Sequence, residues 1–371
     1  MSKHGLSQAR SVARSALRGL KSGVEGYQRC RLAVPQRDPS KLGAPSVYFL
    51  TPDYDRPAGG VRVIYRHVDI LNTAGIRAAV VHQRAGFRCS WFRNQTPVVD
   101  VGRCTLGKND LLVLSEVDGD LFARLPSGAR HVIFNQNAHL TWTRGEEAMT
   151  SHLVGNPDLA GIVTVSAHNA AMLGFAFPWL EVRRLHLSLD RELFYDDNSV
   201  RARTITYMPR RGSDDARQVL EMCRNRGALD GWAVVPLDGL SHEEVAAQLR
   251  LSRIFLAFTY QEGFGLPAAE AMASGNYVIG YHGYGGREFF QPRFSTPISN
   301  GDVLDFAERL EALLKLDDVG FEPYRLKASK AAQFIRTTYS AEREAEDVLR
   351  IYRGFLPDDE RCLENAQRVG R

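Results

Sequence analysis

Short runs of β-branched and aromatic residues alternate with helical patterns along most of the chain. The first run, Ser46–Leu50, is followed by a turn, by a loop that ends at Gly59 and Gly60, and by a helical pattern over residues 61–72. Such alternation is typical of βαβ units, in which parallel strands lie side by side and helices cover the sheet. The sequence therefore predicts an α/β fold built on parallel sheets.

The predicted strands form two groups, with a hinge expected at residues 185–194. They are predicted at residues 46–50, 78–82, 111–114, 131–134 and 161–165, and then at residues 204–208, 232–235, 253–260 and 277–281. A chain of 371 residues also exceeds the size at which one core stops growing, about 250 to 300 residues. We therefore expect an extension (1–44), two doubly wound domains (45–190 and 191–339), and a C-terminal helical segment (340–371) that can pack back on the first domain.

The N-terminal extension carries the basic charge of the chain. Residues 1–44 contain nine Lys or Arg and two acidic residues, which leaves 38 − 41 = −3 for the rest of the sequence. Apolar residues at helical spacing, such as Leu6, Leu17 and Leu20, alternate with a basic face, so the extension is predicted to form a basic amphipathic helix. Two interpretations stay open: the helix lies on an anionic membrane surface, or it is a solvated extension.

The remaining composition favours a cytoplasmic protein. The five cysteines are scattered and form no C-x-x-C pair, and no run of eighteen apolar residues or secretion signal is present. No segment suggests a nucleic-acid partner. We expect a cytoplasmic location, with peripheral contact at the inner membrane face if the extension binds lipid.

The segment at residues 258–275 carries the clearest chemical signal. It begins as a strand, continues through Glu262 and a glycine loop, and becomes a helix that contains Glu270 and ends at Gly275. Amide groups at a helix start attract anionic groups, and glycine lets the backbone approach a ligand closely. The loop residues with free amides are Gly263, Phe264, Gly265 and Leu266. We predict that this loop cradles a phosphate while the two carboxylates accept hydrogen bonds from hydroxyl groups.

Glu262 and Glu270, with seven residues between them, resemble the E-x7-E motif of family 4 retaining glycosyltransferases. The internal Gly-Phe-Gly-Leu-Pro and the later Gly-Gly-Arg-Glu at residues 285–288 are similar to the same family, and the resemblance extends over about residues 47–352. It implies the GT-B fold, with two facing Rossmann-like domains and a cleft between them. It also implies transfer of a sugar from a nucleotide diphospho-sugar to a glycan, lipid-linked or small-molecule acceptor, with retention of anomeric configuration.

The resemblance further assigns roles to individual residues. Glu262 would contact the donor sugar and Glu270 the ribose, while the loop amides hold the sugar and the phosphates. Gly59 and Gly60 resemble the glycine loop that closes over the diphosphate and the acceptor from the other domain. Arg210 and Arg211 stand where the family places cations on the donor phosphates, which suits the charge that develops on a departing diphosphate.

His139 follows a predicted strand of the first domain and stands where the family often has a histidine near the reacting sugar. An ordinary histidine at a strand end is the alternative, and the sequence does not separate the two. No metal or other cofactor is expected. The triplets Asp53-Tyr54-Asp55 and Asp118-Gly119-Asp120 are interpreted as turn residues rather than metal ligands.

Two other functional classes fit part of the pattern. Gly263-x-Gly265-x-x-Ala268 matches a dinucleotide fingerprint, but the next predicted strand ends without an acid for the ribose. The hinge reads Leu187-Ser188-Leu189-Asp190 and lacks the Asn and Gly of the family signature, although Asp190 and Phe194 match it. The alternative to a glycosyltransferase of polysaccharide biosynthesis is therefore a GT-B module that binds a nucleotide sugar or glycan without turnover.

Overall fold

The computed structural model describes residues 32–41, 43–143, 146–210 and 212–357. The amphipathic helix predicted for the extension lies outside these residues. Among the described helices, none combines the length and the apolar character needed to span a bilayer.

The first half of the described chain forms one large parallel sheet. Nine strands lie in this half, seven in the large sheet and two in a small separate pair. They are β1 (Gln36–Arg37), β2 (Ser46–Leu50), β3 (Arg77–His82), β4 (Val98–Asp100), β5 (Thr105–Leu106), β6 (Leu111–Ser115), β7 (His131–Asn135), β8 (Leu159–Thr164) and β9 (Val182–Arg184). The large sheet has the order β4-β3-β2-β6-β7-β8-β9, and β1 pairs with β5. The chain therefore winds outward in both directions from β2, and the switch in direction falls between β2 and β6.

Helices cover both faces of this sheet. They are α1 (Gly59–Thr73), α2 (Gly119–Phe122), α3 (Glu146–Gly155) and α4 (Ala167–Ala176), with a 3₁₀ turn at Ala138–Leu140. The central strands β6 and β7 are almost entirely apolar and buried, as expected when both faces of a parallel sheet are covered. The carboxyl ends of β2, β6 and β7 thus form one edge, where polar residues can meet a ligand.

The second half repeats this architecture with five parallel strands in the described ranges. The elements are β10 (Thr204–Tyr207), α5 (Ser213–Asn225), β11 (Ala233–Pro236), α6 (His242–Leu251), β12 (Ile254–Ala257), α7 (Leu266–Ala273), β13 (Tyr277–Gly280), β14 (Thr296–Pro297), α8 (Val303–Leu314) and α9 (Asp318–Thr338). The strand order is β11-β10-β12-β13-β14. The switch in winding direction therefore falls between β10 and β12.

The last described helix, α10 (Ala341–Arg353), returns to the first half of the chain. Its residues Val348 and Ile351 are buried in one core cluster with Val68 and Leu71 of α1. The carboxylate of Glu344 also lies against α1, 2.7 Å from Nε of Arg66. Within the described ranges, the polypeptide therefore crosses between the two halves twice, once through residues 185–194 and once before α10.

The α/β class and the doubly wound parallel sheets are confirmed, and most predicted strands agree with the observed ones to within two residues at each end. One local prediction is wrong. Gly59 and Gly60 do not end a loop, because Ala58 is the extended N-cap residue and the two glycines are the first residues of α1. Ser241 and Glu244 form a capping box at the start of α6, with both of its hydrogen bonds present.

Candidate active site

A pocket lies at the carboxyl edge of the second sheet, at the switch between β10 and β12. The pocket is shallow and partly open to solvent. Residues from the ends of β10, β12 and β13 line it, among them Met208, Thr259, Glu262, Gly265 and His282. Ligands of open α/β sheets bind in such crevices, because loops from neighbouring strands separate there.

The glycine loop follows β12 and forms one wall of the pocket. Gly265 has φ of +93° and caps the N-terminus of α7, a conformation that a residue with a Cβ adopts only with strain. Pro267 lies in the first turn, where its missing amide costs no hydrogen bond. Among the described residues, no group accepts a hydrogen bond from the amides of residues 263–266. These amides are therefore able to donate to an anionic ligand.

The loop also contacts the opposite half of the molecule. A Cβ placed on Gly263 would lie 1.6 Å from the carbonyl oxygen of Gln136, and one on Gly60 would lie 3.0 Å from the Gln136 side chain. A Cβ on Gly59 would lie 3.1 Å from Leu266. The structure thus brings Gly59, Gly60 and the glycine loop together across the cleft, with Gln136 between them.

The two motif carboxylates occupy different environments. Glu262 is half-buried and lines the pocket, and its amide donates to the carbonyl of Gly283 at 2.8 Å. Glu270 is only 7% exposed, lies one turn into α7, and is not among the pocket-lining residues. Its Oε1 lies 3.3 Å from Nε2 of His242 and 3.9 Å from Nη2 of Arg62. Glu262 faces the pocket directly, whereas Glu270 lies behind the loop with partners from two other helices.

Phe264 contributes backbone rather than side chain to the site. Its ring is 3% exposed and packs 5.2 Å from the ring of Phe289 and 4.9 Å from that of Tyr339. This packing anchors the loop to the core, so the amide groups on its other side are held in place. A ligand would therefore meet a rigid backbone rather than a mobile loop.

The predicted phosphate-binding arginines lie in the turn that follows β10. Arg210 is exposed and is not among the pocket-lining residues, although Met208 two positions earlier is. Arg211 lies outside the described residues. Gly212 fixes the end of the turn, because a Cβ there would lie 2.1 Å from the carbonyl oxygen of Phe258, the residue that follows β12. The turn is thus packed against the strand that leads into the glycine loop.

His139 lies in the cleft, in the 3₁₀ turn after β7. Its ring is 5.4 Å from that of Tyr284 in the second half and 5.3 Å from that of His168 in α4. Burial lowers the pKa of His139, so the imidazole is neutral near pH 7. Its Nε2 is buried and has no hydrogen-bond partner among the described residues. A neutral ring nitrogen in this position can bond to a hydroxyl group.

Glu288, from the Gly-Gly-Arg-Glu element, does not face the pocket. Its Oε1 accepts from Arg184 at 2.9 Å and from the hydroxyl of Tyr339 at 2.8 Å, while Oε2 accepts from the amide of Ala167 at 3.1 Å. Arg184 and Ala167 belong to the first half of the chain. Glu288 therefore joins the two halves on the side of the cleft formed by β9 and α4.

The aspartate triplets bond to backbone, Asp53 to the segment that follows β3 and Asp118 to the turn that follows β6. Asp53 accepts from the amides of Gln83 and Arg84, both at 3.0 Å, and Asp118 accepts from the amide of Ser115 at 3.1 Å. Among the residues that the structure describes, no cluster of three His, Cys, Asp or Glu side chains is placed to hold a metal ion.

Sequence reasoning missed two side chains that contact Glu270. Arg62 comes from α1 and His242 from the start of α6, so the contact depends on how separate elements pack. One signal was present at Arg62: it is a cation in the first turn of a helix that has no acidic residue there. The positive end of a helix disfavours cations, which is a reason to ask what such a residue contacts.

Comparison with known proteins supports a glycosyltransferase domain in the second half. Residues 222–334 match the family model described as "Glycosyl transferases group 1". An alpha-1,6-glucosyltransferase from Actinobacillus pleuropneumoniae is 29% identical over 136 residues, which are 36% of this chain. The match spans 40% of the length of that relative. Residues 222–334 thus form a domain of the kind found in these transferases.

Solved structures extend the similarity to both halves. Sucrose-phosphate synthase from Thermosynechococcus elongatus has a TM-score of 0.62 at 13% identity, covering 84% of this chain and 98% of that protein. Alr3699/HepE from Anabaena, solved in complex with UDP and glucose, also has a TM-score of 0.62, at 12% identity, covering 83% and 99%. At such identities the comparison establishes the fold, which is GT-B: two Rossmann-like domains with a cleft between them.

Proposed function

We propose that this chain is a family 4-like glycosyltransferase that moves a sugar from a nucleotide diphospho-sugar to an acceptor hydroxyl, with retention of anomeric configuration. The donor binds in the pocket of the second domain, and the acceptor approaches from the first domain. One observation carries this proposal: Glu262 and Gly265 line a pocket at the β10–β12 switch, within a loop whose amides at residues 263–266 have no acceptor among the described residues. The matched glycosyltransferase domain contains these residues.

The proposed roles follow from the chemistry of each group. An ionised Glu262 accepts hydrogen bonds from donor sugar hydroxyls, and Glu270 accepts them from the ribose. The loop amides bind the diphosphate and stabilise the charge that develops as it departs, together with Arg210 and Arg211. His139 bonds to a sugar hydroxyl near the reacting carbon. No divalent metal takes part in this proposal, so transfer that depends on added Mg²⁺ or Mn²⁺ would contradict it.

Substitution of the two motif carboxylates tests the proposed site. Glu262→Gln and Glu270→Ala should each suppress transfer by about tenfold or more, since hydrogen bonds to a charged group contribute about 1.5–3 kcal/mol. The assay measures free nucleoside diphosphate after each of a panel of nucleotide sugars is mixed with candidate acceptors. Glu221→Gln, at an exposed position on α5, is the matched control and should leave transfer unchanged.

Three outcomes of this assay have different meanings. Full activity in either motif variant refutes the proposed site. Donor binding without nucleotide release in the wild-type chain, with every acceptor class, favours a module that binds a nucleotide sugar without turnover. Where transfer occurs, the anomeric coupling of the product in its NMR spectrum tests retention.

The acceptor class and the place of action are also proposals. We propose a glycan or lipid-linked acceptor in polysaccharide assembly, and a cytoplasmic location with the basic extension on the inner membrane face. The support is the charge of residues 1–44, nine basic against two acidic residues. Sedimentation with anionic vesicles, with and without residues 1–31, separates membrane contact from a solvated extension, because this truncation keeps the β1–β5 pair of the first domain. Equal sedimentation of the two chains would end the proposed contact.

A further inference from the structure

Arg62 is in an electrostatically costly position within its own helix. It is the fourth residue of α1, close to the positive end of the helix dipole, and no acidic residue stands in that first turn. Arg66 follows four residues later, at the spacing where like charges on a helix repel. The Arg62 side chain is also only 20% exposed, and this burial lowers its pKa, although the nearby charge of Glu270 opposes the shift. Local helix stability therefore does not explain Arg62.

The compensating partners of Arg62 lie in the other domain. Nη1 of Arg62 lies 2.7 Å from Nδ1 of His242, and Nη2 lies 3.9 Å from Oε1 of Glu270. His242 Nε2 is in turn 3.3 Å from the same Oε1. The ring of Phe194, at the end of the crossover segment, packs 4.8 Å from the ring of His242 and limits its movement. The three polar side chains thus form one network across the domain boundary.

His242 lies between the Arg62 cation and Glu270. Nη1 of Arg62 is 2.7 Å from Nδ1 and 2.9 Å from Nε2 of the ring, so the guanidinium lies against the face of the imidazole, near both nitrogens. On the other side, Nε2 lies 3.3 Å from Oε1 of Glu270, within hydrogen-bond reach of the carboxylate. His242 therefore connects the Arg62 cation to one oxygen of Glu270.

This network fixes which part of Glu270 remains for a ligand. Arg62 and His242 both approach Oε1 of Glu270. These contacts orient the carboxylate and compensate part of its charge, and they do not involve Oε2. A buried carboxylate needs such compensation, because an isolated buried charge is strongly unfavourable. Since Arg62 belongs to the first domain, the orientation of Glu270 depends on domain closure.

We propose that Arg62, through His242, positions Glu270 to bind the ribose hydroxyls of the donor nucleotide, so that ribose recognition and domain closure are coupled. This inference rests on the proposed function, because it takes Glu270 as the ribose-binding residue. Arg62 is a positioning residue: it acts through Glu270 and His242 and does not itself touch the ribose. The first domain, which is expected to bind the acceptor, thereby takes part in the selection of a ribonucleotide.

A comparison of ribo- and deoxyribonucleotides tests this role. UDP, GDP and ADP are first titrated into the wild-type chain by calorimetry, and the nucleotide that binds is compared with its 2′-deoxy and 3′-deoxy counterparts. Arg62→Gln should weaken binding of the ribonucleotide about tenfold, the effect of losing a bond to a charged group. It should leave the deoxynucleotide that lacks the recognised hydroxyl almost unaffected. Arg62→Lys should recover part of the discrimination, because it keeps the charge.

Arg66→Gln is the matched control. Arg66 lies one turn further along the same helix and pairs with a buried carboxylate, that of Glu344, away from the pocket. Its loss should lower stability but keep the wild-type preference for ribose. If Arg62→Gln weakens ribo- and deoxyribonucleotides equally, or weakens neither, the positioning role is wrong while the proposed function stands. If the wild-type chain binds none of the nucleotides or their sugar conjugates, the proposed function and this inference fail together.

Discussion

Glu344 shows how one buried residue can join the first domain to the returning helix. Its side chain has no exposed surface, and its oxygens lie 2.7 Å from Nε of Arg66, 3.3 Å from Nε2 of His67 and 2.6 Å from the hydroxyl of Ser188. Burial by itself would raise the pKa of Glu344, but the bond from His67 and the charge of Arg66 outweigh it and lower the pKa to about 2. The ionised form is therefore the one that the fold stabilises.

Glu344→Gln should lower the free energy of unfolding at pH 7 by about 3–5 kcal/mol, because it leaves the Arg66 cation without its buried partner. The folded pKa of Glu344 lies below its usual 4.5, so its contribution is complete above about pH 4.5 and is lost as the pH falls toward 2. Urea denaturation at pH 7, 5 and 3 should show the gap between wild type and variant narrowing as the pH falls. Glu342→Gln is the control, because Glu342 is in an exposed pair with Arg191, and it should change the free energy of unfolding little. If the difference between wild type and Glu344→Gln stays constant from pH 7 to pH 3, the lowered pKa of Glu344 is contradicted.

The residues of the candidate site differ in how far the sequence could predict them. Glu262, Glu270 and the loop between them lie in one continuous segment, so a strand–glycine–helix pattern was sufficient to propose them. Arg62 and His242 are 180 residues apart, and their contact exists only because two domains close on each other. Glu288 belongs to the Gly-Gly-Arg-Glu element that is similar to the family, and its bonds to Arg184 and Tyr339 serve the contact between domains.

At the scale of elements, the approach of the glycine loop to the turn after β7 is the contact that closes the cleft. A Cβ on Gly263 would meet backbone, not a flexible side chain: the Gln136 carbonyl oxygen at 1.6 Å and its carbon at 2.7 Å. Backbone atoms in this position cannot move unless the turn or the whole domain shifts. The absence of a side chain at Gly263 is therefore a condition for the observed closure.

Gly263→Ala should reduce transfer by about 10²-fold or more, the scale expected when reacting groups are displaced by about 1 Å. The free energy of unfolding should change much less, because each sheet keeps its own core. Gly174→Ala in α4 is the control: an added Cβ has no neighbour within 4 Å, and alanine should stabilise this helix by roughly 0.5–1 kcal/mol. Wild-type transfer rates in the Gly263 variant, measured by nucleotide release, would show that the close contact is not needed.

The elements that the sequence predicted well are those with a strong internal pattern. The buried central strands β2 and β6 were placed almost at their observed bounds. The pairs β1–β5 and β13–β14 were missed, because β1, β5 and β14 are two residues long and exist through pairing rather than through local preference. Gly59 and Gly60 were assigned to a loop because glycine disfavours helices, but both lie in the first turn of α1, where a Cβ would be tight against the side chains of Leu266 and Gln136 at 3.1 and 3.0 Å.

At the scale of the whole molecule, the two domains are joined by more than a hinge. Leu187, Leu189 and Phe194 of the crossover segment are buried in the same core cluster as Phe264 of the glycine loop and Ile351 of α10. The amide of Leu189 also donates to the carbonyl of Tyr339, so the two crossing segments are bonded to each other. A continuous core of this kind favours unfolding of both domains in one transition, because neither can lose its core without exposing the other.

Single-transition unfolding can be tested with the tryptophan residues. Trp91, Trp142 and Trp179 lie in the first domain and Trp232 in the second, so Trp232→Phe leaves fluorescence that reports only on the first domain. Its urea transition should coincide with the far-UV circular dichroism transition of both sheets. A nucleotide that binds the second domain at a hundred times its Kd should shift the fluorescence transition as well, by about 2.7 kcal/mol, because the ligand stabilises the cooperative unit as a whole. Independent unfolding of the domains would give separate fluorescence and circular dichroism transitions. It would also let the nucleotide shift the circular dichroism transition without shifting the fluorescence transition. Either result would mean that the contact between the domains is weaker than the shared core indicates.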